Sequence, residues 1–184
     1  MKGVVLAGGL GSRLYPLTYA TNKHLLPVYD QPMVYYPIQT LVGAGIHEIM
    51  VVTGGPHAGD FINVLKNGDK FGVSHLEYAF QEGEGGIADA LRLAKSFSDG
   101  EPICVILGDN CTDADISESV QNFKSGATIF LKEVPDPQRF GCPEMDEKGN
   151  IINIIEKPKN PPTNYAVTGL YFYDNTVSAK AKSL

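Results

Sequence analysis

No apolar run in this sequence approaches the ~20 residues that cross a bilayer. The run over residues 4–7 breaks at Gly8-Gly9 and is too short for a secretory signal, so a cytoplasmic protein with no membrane partner is expected. Cysteine is scarce. Cys104, Cys111 and Cys142 are odd in number and lack C-x-x-C spacing, which points to reduced, structural thiols rather than a disulfide framework or a zinc site. Cations are outnumbered, 15 Lys and Arg against 21 Asp and Glu, for a net charge of -6 and a pI near 5.1. A nucleic-acid polymer asks for a broad basic face, so that partner is excluded. Any phosphate ligand must be met by individually placed cations such as Arg13, Lys23 and Lys157.

What is present is the pattern of a folded α/β chain. With 184 residues, 43% of them hydrophobic, one well-buried core is expected, and residues 1–184 read as a single domain. Short apolar runs over 3–6, 48–53, 75–80, 102–107 and 128–134 predict strands, several apolar nearly throughout as in a sheet covered on both faces. Between them, 32–42, 58–66, 86–97 and 116–123 have the length and spacing of helices, with a last helix from Asn175. The expected fold is a three-layer α/β architecture, a mostly parallel, doubly wound, Rossmann-like sheet. Ligands of such a sheet bind outside the carboxyl ends of its strands. After Lys132 the rhythm changes: "EMDEKGNIINIIEKP" predicts an antiparallel β-hairpin insertion turning at Lys148-Gly149-Asn150.

The loops that follow strands are therefore the ones to read. The first, Ala7-Gly8-Gly9-Leu10-Gly11, ends a buried strand and is closed by Arg13. It is neither a P-loop, which needs G-x-x-x-x-G-K-[ST], nor the dinucleotide fingerprint, whose third glycine is replaced here by Leu14. Its glycines still let backbone N–H groups approach an anion, and Arg13 and Lys23 add charge in the same segment. "PICVILGDN" ends an apolar strand in Asp109, a carboxylate placed to hold magnesium when phosphates complete the shell. Gln81, at the end of "AFQ", offers donor and acceptor together, as reading a nucleobase edge requires. "IIEKPK" sets Glu156 beside Lys157, suited to a sugar hydroxyl and a phosphate, though also to a plain exposed ion pair.

Taken together, "LAGGLGSRLYPLT", "NKHLLPVYDQPMVYYPI", "GGIADAL", "LGDN", "DPQRFGC", "EKP" and "NYAVTGLYFYD" resemble, in order and over the whole chain, the sugar-nucleotidyltransferases, and within them the glucose-1-phosphate thymidylyltransferases. The resemblance implies in-line attack by the phosphate oxygen of glucose 1-phosphate on the α-phosphorus of dTTP, giving dTDP-glucose and pyrophosphate with Mg2+ as cofactor. That product would feed dTDP-rhamnose or other deoxysugars of cell-surface polysaccharide. Carried over residue by residue, Leu6, Gly8, Gly9, Gly11, Gln81 and Gly86 would bind the nucleotide, Gln81 and Gly86 at the thymine. Arg13 and Lys23 would bind the departing phosphates, Asp109 would hold the metal, and Lys157 would grip the sugar phosphate. Gly141, Glu156, Asn164 and Val167 would line the sugar pocket. Family members commonly form homo-oligomers, which the resemblance implies for a full-length chain.

The resemblance also has gaps. The family's chain continues past the position of Leu184 with a "GELEITD"-like sugar segment and a "W-x-D-x-G-T"-like segment carrying a second metal carboxylate, so a C-terminally truncated chain is expected. Asp89 replaces the glutamine of a "GGIAQA" pattern, Cys111 a larger apolar residue after "GDN", and Cys142-Pro143 the valine after "FG". Two other readings stay open: a transferase using UTP or another sugar 1-phosphate, because one methyl separates thymine from uracil, and a non-catalytic nucleotide-binding protein that keeps the N-terminal cradle.

Overall fold

The first apolar run becomes the strand around which the rest is arranged. In β1 (Lys2–Ala7), Val4, Val5 and Ala7 are fully buried, and the absence of a side chain at Gly3 lets a helix approach: a Cβ there would lie 2.8 Å from Leu41 Cδ1 and 3.2 Å from Ile46 Cγ2. The computed structural model describes residues 1–9, 11–83 and 85–181. They form two compact units, one of Met1–Ala127 with the chain from Phe172 onward, the other of Thr128–Tyr171.

In the first unit, β1 is followed by a small antiparallel pair, β2 (Pro27–Val28) and β3 (Gln31–Pro32), turning through Tyr29, whose φ of 59° is left-handed. Then come α1 (Tyr35–Gly43), β4 (Glu48–Gly54), α2 (Ala58–Leu65), β5 (His75–Gln81), α3 (Gly86–Leu93), α4 (Lys95–Ser98), β6 (Ile103–Leu107) and α5 (Ser117–Asn122). The ladder runs β5-β4-β1-β6, parallel throughout: Val5 lies opposite both Val51 and Ile106, and Val51 opposite Tyr78. The chain winds from β1 to β4 to β5 and then jumps to the other side of β1 for β6. This reversal creates the crevice beside β1 in which doubly wound sheets bind ligands. Helix α1 packs on β1 and β6, α2 on β4 and α3 on β5. Strands β1, β4 and β6 are buried almost residue by residue, which accounts for their apolar composition.

Two helices depart from the sequence expectation. The helix expected over 32–42 begins at Tyr35: Pro32 is spent in the β2–β3 pair, and the N–H groups of Met33 and Val34 donate to Leu26 O and His24 O, tying the start of the helix to the preceding turn. The helix expected over 86–97 is divided into α3 and α4 at Ala94.

The second unit contains most of β7 (Ala127–Glu133) and β10 (Tyr165–Tyr173), neighbours in one sheet, together with the antiparallel hairpin of β8 (Gly141–Met145) and β9 (Ile151–Glu156). Val134 N–H donates to Asn164 O at 2.9 Å and Thr168 Oγ1 to Phe130 O at 3.0 Å, tying β7 to β10. The hairpin turns where expected, at Gly149 with φ 81°, but its first strand starts earlier, at Gly141 opposite Glu156, with a bulge at Glu144/Met145. The chain then returns to the first unit, where Phe172 meets Phe123 edge-on at 5.7 Å and α6 (Val177–Ala181) packs on α3. Among the described residues no helix is long and apolar enough to cross a membrane. The three cysteines are free thiols, Cys104 and Cys142 buried and Cys111 exposed.

Candidate functional site

At the carboxyl ends of β1, β5 and β6 lies a cavity of about 270 Å³. The end of β1 contributes Leu6, Gly8 and Gly9, the end of β5 and its loop contribute Gln81, Gly83 and Gly86, and β6 contributes Leu107 and Asp109. Ile87 and Ala90 of α3 complete an apolar floor with Leu6 and Leu107, while Lys23 and His24 enter from the turn after the glycine loop. An apolar pocket with a few converging polar groups is the usual form of a small-molecule site.

The glycine loop is anchored by its carbonyls. Asn22 Nδ2 donates to Gly9 O at 3.3 Å, and Thr18 Oγ1 donates to Gly11 O at 2.8 Å. Because carbonyl and N–H leave a trans peptide on opposite edges, the Gly11–Ser12 peptide turns its N–H away from Thr18. Gly11 adopts φ 63°, and a Cβ on it would meet Lys23 Cβ at 3.0 Å, so only glycine brings the loop so close to the lysine stem. Leu10 and Glu84, one in each glycine-rich loop, lie outside the described residues.

Across the mouth of the cavity Lys23 Nζ donates to Asp109 Oδ2 at 2.7 Å, with the lysine side chain 27% exposed and the aspartate 41%. Burial opposes ionisation of Asp109, but the hydrogen bond and charge of Lys23, with a smaller contribution from His24, outweigh it and hold the carboxyl below the usual range. His24 is buried. Its backbone N–H and Nδ1 both approach Asn22 Oδ1, at 3.0 and 2.8 Å. An oxygen that already accepts the backbone N–H makes Nδ1 the protonated nitrogen of the ring. Burial first, then the charge of Lys23, lowers the His24 pKa to about 4, so the ring beside the ion pair is neutral.

At the opposite wall Gln81 Nε2 donates to Gly86 O at 3.0 Å and to Asp89 Oδ2 at 3.1 Å. Asp89 Oδ1 in turn accepts from Arg92 Nε at 3.1 Å and from its terminal nitrogen at 2.8 Å. The Arg92 hydrogen bond, then that of Gln81, keeps the Asp89 carboxyl below its ordinary range.

The structure thus gathers Leu6, Gly8, Gly9, Lys23, Gln81, Gly86 and Asp109 into one cavity. Arg13 is not among its lining residues; it is exposed on the turn Ser12–Leu14. In the second unit Gly141, Glu156 and Val167 lie together, since a Cβ on Gly141 would meet Glu156 Oε2 at 3.4 Å and Val167 Cβ at 3.8 Å. Lys157, with φ 46°, pairs with Glu156 at 3.1 Å, both largely exposed. Asn164 lies elsewhere in that unit, lining a cavity with Lys132, Glu133, Val134 and Pro135. Sequence reading overlooked Asn22 and His24. Their signal was the run Asn22-Lys23-His24 itself, a polar cap and a buriable ring on either side of the lysine.

Magnesium binds oxygen in octahedral geometry and keeps several waters. Among the described residues no group of three or more His, Cys, Asp or Glu is arranged to hold a metal. Among the described residues that line the cavity, Asp109 offers the one carboxylate, partly exposed, a donor set that fits a cation whose remaining shell comes from phosphate and water.

Comparison with known proteins places the chain in a family. A glucose-1-phosphate thymidylyltransferase of Xanthomonas campestris is 43% identical over 187 residues, covering all of this chain and 63% of the relative. One of Neisseria gonorrhoeae is 44% identical over 188 residues, covering all of this chain and 65% of the relative. The chain therefore spans somewhat less than two thirds of these relatives. A Bacillus anthracis structure named for the same activity, in complex with sucrose, superposes with a TM-score of 0.94 at 47% identity, covering all of this chain and 75% of the other. A UDP-glucose pyrophosphorylase complexed with UDP-glucose shares the fold, with a TM-score of 0.80 at 22% identity over 98% of this chain and 78% of the other. With the nucleotidyl transferase family model matching residues 2–184, the chain belongs to the nucleotidyl transferase family.

Proposed function

We propose that this chain transfers a thymidylyl group from dTTP to glucose 1-phosphate. The observation that carries the reading is the single cavity in which a glycine loop, an amide and a lysine–aspartate pair meet at the ends of neighbouring parallel strands. The nucleotide would lie with its base against Gln81 and Gly86 and its phosphates over Gly8, Gly9 and Gly11. A phosphate oxygen of the sugar phosphate attacks the α-phosphorus, the bond to the bridging oxygen breaks in line, and pyrophosphate leaves. Such chemistry is mostly positioning and charge neutralisation.

Lys23 would neutralise the leaving phosphates from within the cavity, and Arg13 would reach them from the exposed turn that closes the loop. Asp109 would hold Mg2+, which when bound supplies charge to the phosphate oxygens. Lys23, paired with Asp109 at 2.7 Å, would sit beside the carboxylate that would hold the cation, with its ammonium in the same cavity as the phosphates. In the second unit Lys157 would take the sugar phosphate, and Gly141, Glu156, Asn164 and Val167 the sugar hydroxyls. We place the reaction in the cytoplasm and the working form in a homo-oligomer.

The test is titration with dTTP and magnesium, followed by assay of pyrophosphate release with glucose 1-phosphate. Saturable binding that weakens in Lys23→Ala, with turnover lowered in Arg13→Ala, is the expected result. A folded chain that binds no dTTP, or an Arg13→Ala variant with unchanged turnover, would refute the assignment or that residue's part in it. UTP in parallel decides the base.

A further inference from the structure

We propose that Asp89 is a positioning residue that locks the Gln81 amide with its oxygen toward the cavity, so that the site selects a base offering a ring N–H, thymine or uracil, over cytosine. The inference deepens the nucleotide-binding reading above and rests on it. An amide nitrogen carries two hydrogens, and Gln81 Nε2 has two acceptors, Gly86 O at 3.0 Å and Asp89 Oδ2 at 3.1 Å. Turning the amide over would set its oxygen against a carbonyl and a carboxylate, two acceptors that cannot donate. The orientation is therefore fixed by the network.

The amide oxygen is left on the cavity side. It stands by Gly8, where a Cβ would come within 3.1 Å of it, and among the described residues it receives no hydrogen bond. A fixed acceptor that opens onto the wall of an apolar cavity favours a donor opposite it and disfavours an acceptor. The imide N3–H of thymine or uracil is such a donor; the matching nitrogen of cytosine is an acceptor.

Asp89 is itself held. Arg92 grips Oδ1 through two nitrogens, and Gly85 makes room, since a Cβ there would fall 2.6 Å from Asp89 Cβ and 2.9 Å from Oδ2. The backbone of Gly85 has φ -71°, open to any residue, so alanine at this position acts through that clash alone. A carboxylate can only accept from Gln81. A neutral amide at position 89 could present either edge, and the lock would be lost.

The experiment compares dTTP and dCTP affinity, with magnesium, for the wild-type chain, Asp89→Asn and Gly85→Ala, each checked for folding by circular dichroism. Asparagine preserves the size and helix position of Asp89 but not its acceptor-only character, so a purely structural role would leave base selectivity intact. The expected result is a dTTP-to-dCTP affinity ratio reduced about fivefold to tenfold in both variants, the worth of roughly one net hydrogen bond. An unchanged ratio in a folded Asp89→Asn that still binds dTTP overturns the proposal for Asp89 and leaves the nucleotide reading standing. A wild-type chain that binds neither nucleotide overturns that reading, and this inference with it.

Discussion

Lowering the pH from 7 to 4.5 is expected to remove about 2.5 kcal/mol of stability through His24 alone. The ring is only 2% exposed, and its one protonated nitrogen is satisfied by Asn22 Oδ1 at 2.8 Å. A second proton would place a charge in an apolar setting next to the Lys23 ammonium; Asp109 and the carbonyl of Ala7 offset this only in part, and the pKa falls from 6.5 to about 4. With the folded value below the unfolded one, the unfolded chain takes up the proton first as pH falls. The contribution is complete above pH 6.5 and disappears as pH drops through about 4. At about 1.4 kcal/mol per pH unit, the fall to about 4 is worth about 3.4 kcal/mol in all, and roughly three quarters of it is gone at pH 4.5. Carboxylates titrate in the same range, so the measurement is a difference: urea unfolding at pH 7 and 4.5 for the wild-type chain and His24→Gln, with NMR titration of the ring. The wild-type chain should lose about 2.5 kcal/mol more than the variant. Equal losses, or a His24 pKa near 6.5, would show that the ring is not held neutral by burial.

Two further outcomes follow from the same geometry. Gly3→Ala, whose Cβ would sit 2.8 Å from Leu41 Cδ1 and 3.3 Å from Ile49 Cγ1, should destabilise the chain by ~1–3 kcal/mol through overpacking in the central strand; an unchanged thermal midpoint would mean that α1 yields freely. Asp109→Asn should abolish the magnesium dependence of dTTP binding, because Asp109 is the carboxylate among the described residues that line the cavity; an affinity that still rises with magnesium would place the metal elsewhere.

Much of the fold was legible because burial is written locally. The apolar runs of β1, β4 and β6 are what strands covered on both faces require, and the changed rhythm after Lys132 marked the hairpin. The boundaries that moved did so for tertiary reasons: Pro32 and Met33 read as helix, but Pro32 pairs with Pro27 in the β2–β3 ladder and the Met33 N–H donates to Leu26 O. The helix expected over 86–97 had the right composition, yet its division at Ala94 leaves no mark in the side-chain pattern.

By itself the sequence picked out the loops proposed here to carry the chemistry: glycines after β1, an amide at the end of β5 and an aspartate after β6 can be read from each strand's own end. Which of these meet is another matter, because any ordering of the same parallel strands has the same periodicity. Only the order β5-β4-β1-β6 brings Lys23 to Asp109 across 86 residues of chain and sets Gln81 beside Gly8. The neutral state of His24 was equally unreadable, since desolvation is a property of the packed interior and not of the residue. The Asp89 lock on Gln81 joins a strand end to a helix face, a distance in space that no sequence spacing encodes.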